Sequence, residues 1–86
     1  MPEISRFYGI VVAMYYNDHA PAHFHVKYAE FKAKIAIDSG RIVDGQLPSR
    51  ARALVEEWRS RRVEELQSVW ADIAARKPSK RIEPLE

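Results

Sequence analysis

The spacing of apolar residues changes period once along this chain, and the change falls at Pro48. Before it, apolar and polar residues alternate in runs such as Phe24, Val26 and Tyr28 against His23, His25 and Lys27. After it, Ala51, Leu54, Val55, Trp58, Leu66, Val69, Trp70 and Ile73 repeat at intervals of three and four. A period of two belongs to strands with one buried face and a period near 3.6 to a helix with one buried stripe. Strands followed by helix make an α+β domain. With 86 residues, 47% of them hydrophobic, the chain builds one core and no second domain, residues 1–86 forming a single unit.

The alternation predicts a four-stranded antiparallel meander with strands near residues 7–16, 23–28, 31–37 and 41–44, packed on the C-terminal helical segment. The run from Phe7 to Tyr16 is almost continuously apolar, so it is read as a central strand with Ile10, Val12, Met14 and Tyr16 on one face and Val11, Ala13 and Tyr15 on the other. Gly9 marks a bulge or bend in it. Ala29-Glu30 is read as a two-residue hairpin that pairs Tyr28 with Phe31, Val26 with Ala33, His25 with Lys34 and His23 with Ala36. That register puts His23, His25, Lys27, Lys32 and Lys34 together on the outer face. Asp38-Ser39-Gly40 is a tight turn. Pro48 suits a first helical position, and no Gly or Pro interrupts residues 49–77, which allows one long kinked helix or two helices broken at Arg59-Ser60-Arg61-Arg62. Trp58 and Trp70 fall in the buried stripe, and Ile82 and Leu85 pin the tail to the core.

The three histidines of the chain lie within seven residues, His19, His23 and His25. Three readings of this cluster stay open. In the first, His23 and His25 supply two nitrogens from one strand face, and His19 with Asp18 completes the shell of a divalent metal such as zinc. In the second, one histidine is general base and another general acid in RNA cleavage, Lys27 or Lys34 stabilises charge on the phosphate, and Tyr15, Tyr16 and Tyr28 stack bases. In the third, the histidines only hold the loop through hydrogen bonds.

Composition narrows the field. There is no cysteine, so disulfides and thiolate metal sites are excluded, in keeping with a reducing cytoplasm. No signal peptide or membrane span is legible in the sequence, and a cytoplasmic protein is expected. A net charge of +2 is too small to indicate nucleic-acid binding by itself. The charges of the helical half, Arg50, Arg52, Glu56, Glu57, Arg59, Arg61, Arg62, Glu64 and Glu65, mix signs as a solvated face does. The candidate contacts to RNA or DNA are Lys27, Lys32 and Lys34 on the sheet and Arg76, Lys77, Lys80 and Arg81 in the tail.

Several motifs carry a resemblance. The run Ile4-Ser5-Arg6-Phe7-Tyr8-Gly9-Ile10-Val11-Val12-Ala13-Met14-Tyr15, then Asp18-His19, Pro21 and His23-Phe24-His25-Val26-Lys27-Tyr28, resembles a family of small bacterial proteins, domain of unknown function 4160. Gly45-Gln46-Leu47-Pro48, the segment of Trp58 and Trp70, and Ile82-Glu83-Pro84-Leu85 extend it over essentially the whole chain. The resemblance implies pairing with a small protein encoded nearby, in arrangements like toxin-antitoxin modules, and a toxin-like role within such a pair. Two positions depart from the family pattern: Ala22 stands for a second proline and Ala29 for a glycine. A left-handed backbone at Ala29 is strained, which argues against the two-residue hairpin.

Overall fold

In the computed structural model, described for residues 3–16, 19–78 and 80–86, the chain runs β1 (Glu3–Phe7), β2 (Ile10–Ala13), β3 (His23–Tyr28), β4 (Phe31–Ala36), β5 (Ile42–Gly45) and α1 (Ser49–Ala74). The strands form one antiparallel sheet in sequence order, β1-β2-β3-β4-β5, with the helix on one face. The α+β architecture is the expected one, but the sheet has five strands and not four. The difference lies in the first apolar run. Tyr8 and Gly9 both take positive φ, 50° and 79°, and Phe7 pairs with Ile10 across them. Two successive positive φ angles are what a tight hairpin loop between right-twisted strands needs. The expected bend at Gly9 is therefore a full reversal, and residues 3–7 make a strand of their own.

The second hairpin forms in the register read from the alternation, from Tyr28↔Phe31 to His23↔Ala36. Ala29 takes φ 53° to close it, so the missing glycine leaves a strained residue rather than a different turn. The strand expected to run to Tyr16 ends at Ala13, three residues early; the other bounds differ by a residue: β4 ends at Ala36, β5 begins at Ile42, and Pro48 directly precedes the helix, its carbonyl accepting the first helical bond from Arg52 N–H at 2.9 Å.

One helix of 26 residues follows, and Arg62 alone departs from helical geometry inside it, with φ −125° and ψ 18°. A straight helix of that length would run about 39 Å, longer than the 33 Å extent of the molecule. The bend, at the last residue of the segment proposed for it, keeps both halves on the sheet. The inner sheet face and the helix stripe share one core containing Ile4, Phe7, Ile10, Val12, Phe24, Val26, Ile35, Val55, Trp58, Leu66 and Val69. Trp58, 1% exposed, lies between Phe7 at 5.4 Å and Phe24 at 5.9 Å between ring centroids.

Arg59 corrects the picture of a wholly solvated charged face. It is 8% exposed and its guanidinium forks over Glu56, with Nε to Oε1 at 2.8 Å and Nη2 to Oε2 at 2.6 Å, while Nη1 donates to the Ile37 carbonyl at 2.8 Å. The clamp ties the helix to the turn after β4. Gly40 in that turn has φ 75°, and a side chain there would collide with Glu56 and Arg59. The hydrogen bond from Arg59 holds the Glu56 carboxyl below the usual carboxylate range.

The helix ends with Lys77 N–H reaching the Asp72 carbonyl, Arg76 N–H reaching Ile73, and Arg76 at φ 60°, a left-handed cap built without glycine. The tail then returns along β1: Ile82 N–H donates to the Ile4 carbonyl at 2.7 Å, Trp58 Nε1 donates to the Glu83 carbonyl at 2.8 Å, and Ile82 and Leu85 are buried as expected. One sheet edge is thus covered by the chain's own tail. Among the described residues no helix is long and apolar enough to cross a membrane.

Candidate functional site on the open face of the sheet

Side-chain parity divides the strands between two environments. Register places Glu3, Ala13, His25, Lys34 and Asp44 in one cross-strand row of the outer face, and Arg6, Val11, Lys27 and Lys32 in the next. Paired residues have Cα atoms about 5 Å apart, and the two rows are separated by about 7 Å, two residues along a strand. The small side chains Val11 and Ala13, with Gly45 at the far edge, leave a depression of about 430 Å³ that is also lined by Tyr15, His25, Lys27, Lys32, Lys34 and Asp44. Gly45 is required there, because at φ 82° a side chain would run into the Lys32 carbonyl and Ala33 backbone.

The two strand histidines lie on the same side, with ring centroids 5.3 Å apart, yet their surroundings differ. His23 is 7% exposed; its Nδ1–H donates to the Pro21 carbonyl at 2.8 Å, and its ring packs 5.3 Å from Trp70 of the helix. His25 is half-buried and opens onto the depression, with the Tyr15 ring edge-on to it at 4.4 Å and 89°. A substrate on the open face therefore meets His25 and not His23. His19 is exposed in the β2–β3 loop. Asp18 lies outside the described residues. Among the described residues no three histidine or carboxylate side chains gather where one ion could bind them all.

The cations divide in the same way. Among the described residues the ion pairs join Glu3 with Arg6 and Arg81, Glu56 with Arg59, Glu57 with Arg61, and Glu65 with Arg62. None of them takes up Lys27, Lys32 or Lys34. In the tail, Arg76 lies 4.8 Å over the Tyr16 ring and Arg81 is 3.2 Å from Glu3, while Lys77 and Lys80 are exposed. Tyr16 is therefore occupied at the helix end, and Tyr28 belongs to the inner face, packed against the core. Of the three tyrosines considered for stacking, Tyr15 alone lines the depression. Asp44 is a residue that the sequence did not single out. Its signal was its place opposite Lys34, which needs the β4–β5 register to be known.

No curated protein and no solved structure matches the chain. Residues 9–71, from the first hairpin through most of the helix, match the family described as Domain of unknown function (DUF4160), and the chain belongs to that family.

Proposed function

We propose that the open sheet face binds RNA and that His25 carries proton transfer in its cleavage. The observation behind this reading is the gathering of Lys27, Lys32 and Lys34, none of them in an ion pair among the described residues, around a depression that also exposes His25 and Tyr15. A cationic groove with an aromatic ring is the general means of holding a single strand. His25 accepts the proton of a ribose 2′-hydroxyl, whose oxygen attacks the adjacent phosphorus. The bond from phosphorus to the 5′ oxygen breaks, and that oxygen takes a proton from solvent. The products are a 2′,3′-cyclic phosphate and a 5′-hydroxyl. Lys34, directly paired with His25, and Lys27 on the same strand stabilise charge on the non-bridging oxygens. A metal-dependent hydrolysis using His19, His23, His25 and Asp18 has less support, since it needs ligands to converge and His23 is already engaged with Pro21 and Trp70.

The test is cleavage of a labelled single-stranded RNA by the purified chain in the presence of a chelator. His25→Ala lowers it by about 10²–10⁴-fold, a 2′-deoxy sugar at the scissile position blocks it, and both the wild type and the variant keep their circular dichroism. Cleavage that is undiminished in His25→Ala ends the proposal.

A second reading, a cytoplasmic member of a two-gene, toxin-antitoxin-like module acting through a small partner protein, is favoured by the other sheet edge. β5 is solvent-exposed over Val43, Asp44 and Gly45, and among the described residues no strand pairs with its outer edge. Such an edge can accept a strand from another chain. Co-purification with the protein encoded beside it tests this; separate elution at micromolar concentration rejects it.

A further inference from the structure

The depression contains one feature that phosphate binding does not need. Among the described lining residues Asp44 is the one carboxylate, set in a wall of three lysines. A negative charge there weakens the hold on any polyanion, so its presence calls for another reason. Neutralising Lys34 across the strand pair is the simplest, and the two residues are indeed register partners. No ion pair within 4 Å joins them, however, although shorter pairs occur at Glu3, Glu56, Glu57 and Glu65. Asp44 is exposed, two strands from His25 in the same cross-strand row, with Lys34 between them.

Resting on the RNA-binding reading above, we propose that Asp44 reads the base: the depression receives one unstacked base of a single strand, and Asp44 accepts hydrogen bonds from its amino edge. The Lys27–Lys32 row and the His25–Lys34 row, about 7 Å apart, suit successive phosphates of an extended strand. The small floor of Val11, Ala13 and Gly45 leaves room for a flat ring beside Tyr15. A carboxylate discriminates among bases by donor pattern. Guanine offers N1–H and N2–H side by side and matches both oxygens. Cytosine and adenine offer one exocyclic amino group. Uracil sets two carbonyls around its single N–H, and these are repelled. The order of preference is guanine, then cytosine and adenine, then uracil. An acidic protein segment would also satisfy the lysines, but its carboxylates are repelled by Asp44, and it has no base edge to be read.

Fluorescence anisotropy with eight-nucleotide RNAs, all uridine except for one varied central position, reads this directly. The wild type should bind the guanine oligomer about tenfold more tightly than the uridine one, the discrimination expected of one good carboxylate pair. Asp44→Asn should flatten or reverse that ratio, and Asp44→Ala should raise affinity for the all-uridine oligomer by removing a like charge. Both substitutions are at an exposed position, and circular dichroism verifies the fold. An unchanged guanine-to-uridine ratio in Asp44→Asn overturns the assignment of Asp44 while leaving RNA binding intact. Polyglutamate binding as tight as that of the oligomers overturns it in favour of an acidic protein partner. No binding of any oligomer removes the RNA reading itself, and with it this one.

Discussion

The two faces of the sheet are made by the same strands and obey opposite rules. On the inner face, Phe24, Val26, Ile35 and Val12 are at most 3% exposed and meet the helix through Trp58, Val55 and Leu66. On the outer face the alternate residues of the same strands are His25, Lys27, Lys32 and Lys34, and among the described residues no helix or second sheet lies over them. Burial of apolar area, at about 25 cal/mol per Å², accounts for the composition of the first face. It says nothing for the second, where three lysines held close together repel one another and add little to stability. The contrast assigns folding to the inner set of residues and leaves the outer set to the recognition proposed above.

The sharpest way to break this division is to truncate one residue on each face. Trp58→Ala should cost about 3–5 kcal/mol in urea unfolding, since it removes the ring packed on Phe7 and Phe24 and the hydrogen bond to the tail. His25→Ala should change stability by less than about 0.5 kcal/mol while lowering RNA cleavage by about 10²–10⁴-fold. A comparable loss of stability in both variants would erase the distinction. Arg59→Ala comes next, at about 2–3 kcal/mol, because the Ile37 carbonyl and the Glu56 carboxylate lose a shared donor. A shift in urea midpoint equivalent to less than 1 kcal/mol would mean that the clamp is dispensable. For the outer face, the double substitution of Lys32 and Lys34 by alanine should reduce the slope of log affinity against log salt by about 2 with Tm unchanged.

Smaller effects refine the picture. The folded Glu56 carboxyl is held below its ordinary value of 4.5, first by the hydrogen bond from Arg59. Its contribution is therefore complete above that value and is lost as pH falls through the depressed one. Glu56→Gln should make the acid limb of the stability profile less steep below pH 4.5; an identical limb would place the acid sensitivity elsewhere. Finally, Ala29→Gly relieves φ 53° in the β3–β4 turn and should raise stability by about 0.5–1 kcal/mol, the relief of left-handed strain exceeding the added freedom of the unfolded chain. A lower Tm would show that the turn does not strain alanine.

Periodicity carried most of the fold. Strands β3 and β4, their register and the helical segment follow from alternation and from spacing at three and four, while the bend near Arg62 followed from the length of an unbroken helix against the size of the domain. The first reversal was hidden because Tyr8 is a poor residue for a positive φ, so an unbroken apolar run read as one strand. The burial of Arg59 was hidden because a charged residue at helical spacing looks solvated until a turn with two carbonyls is seen to cover it.

For the candidate site, the sequence by itself determined that His23 and His25 share a side with Lys27, since extended backbone alternates with period two whatever surrounds it. Only the tertiary structure decided that the pair is unequal, with His23 under Trp70 and His25 on the depression beside Tyr15, and that Asp44 completes the row of His25. Parity is a local property of the chain, whereas exposure and cross-strand neighbours depend on which distant segments pack against each residue, and no local spacing encodes that.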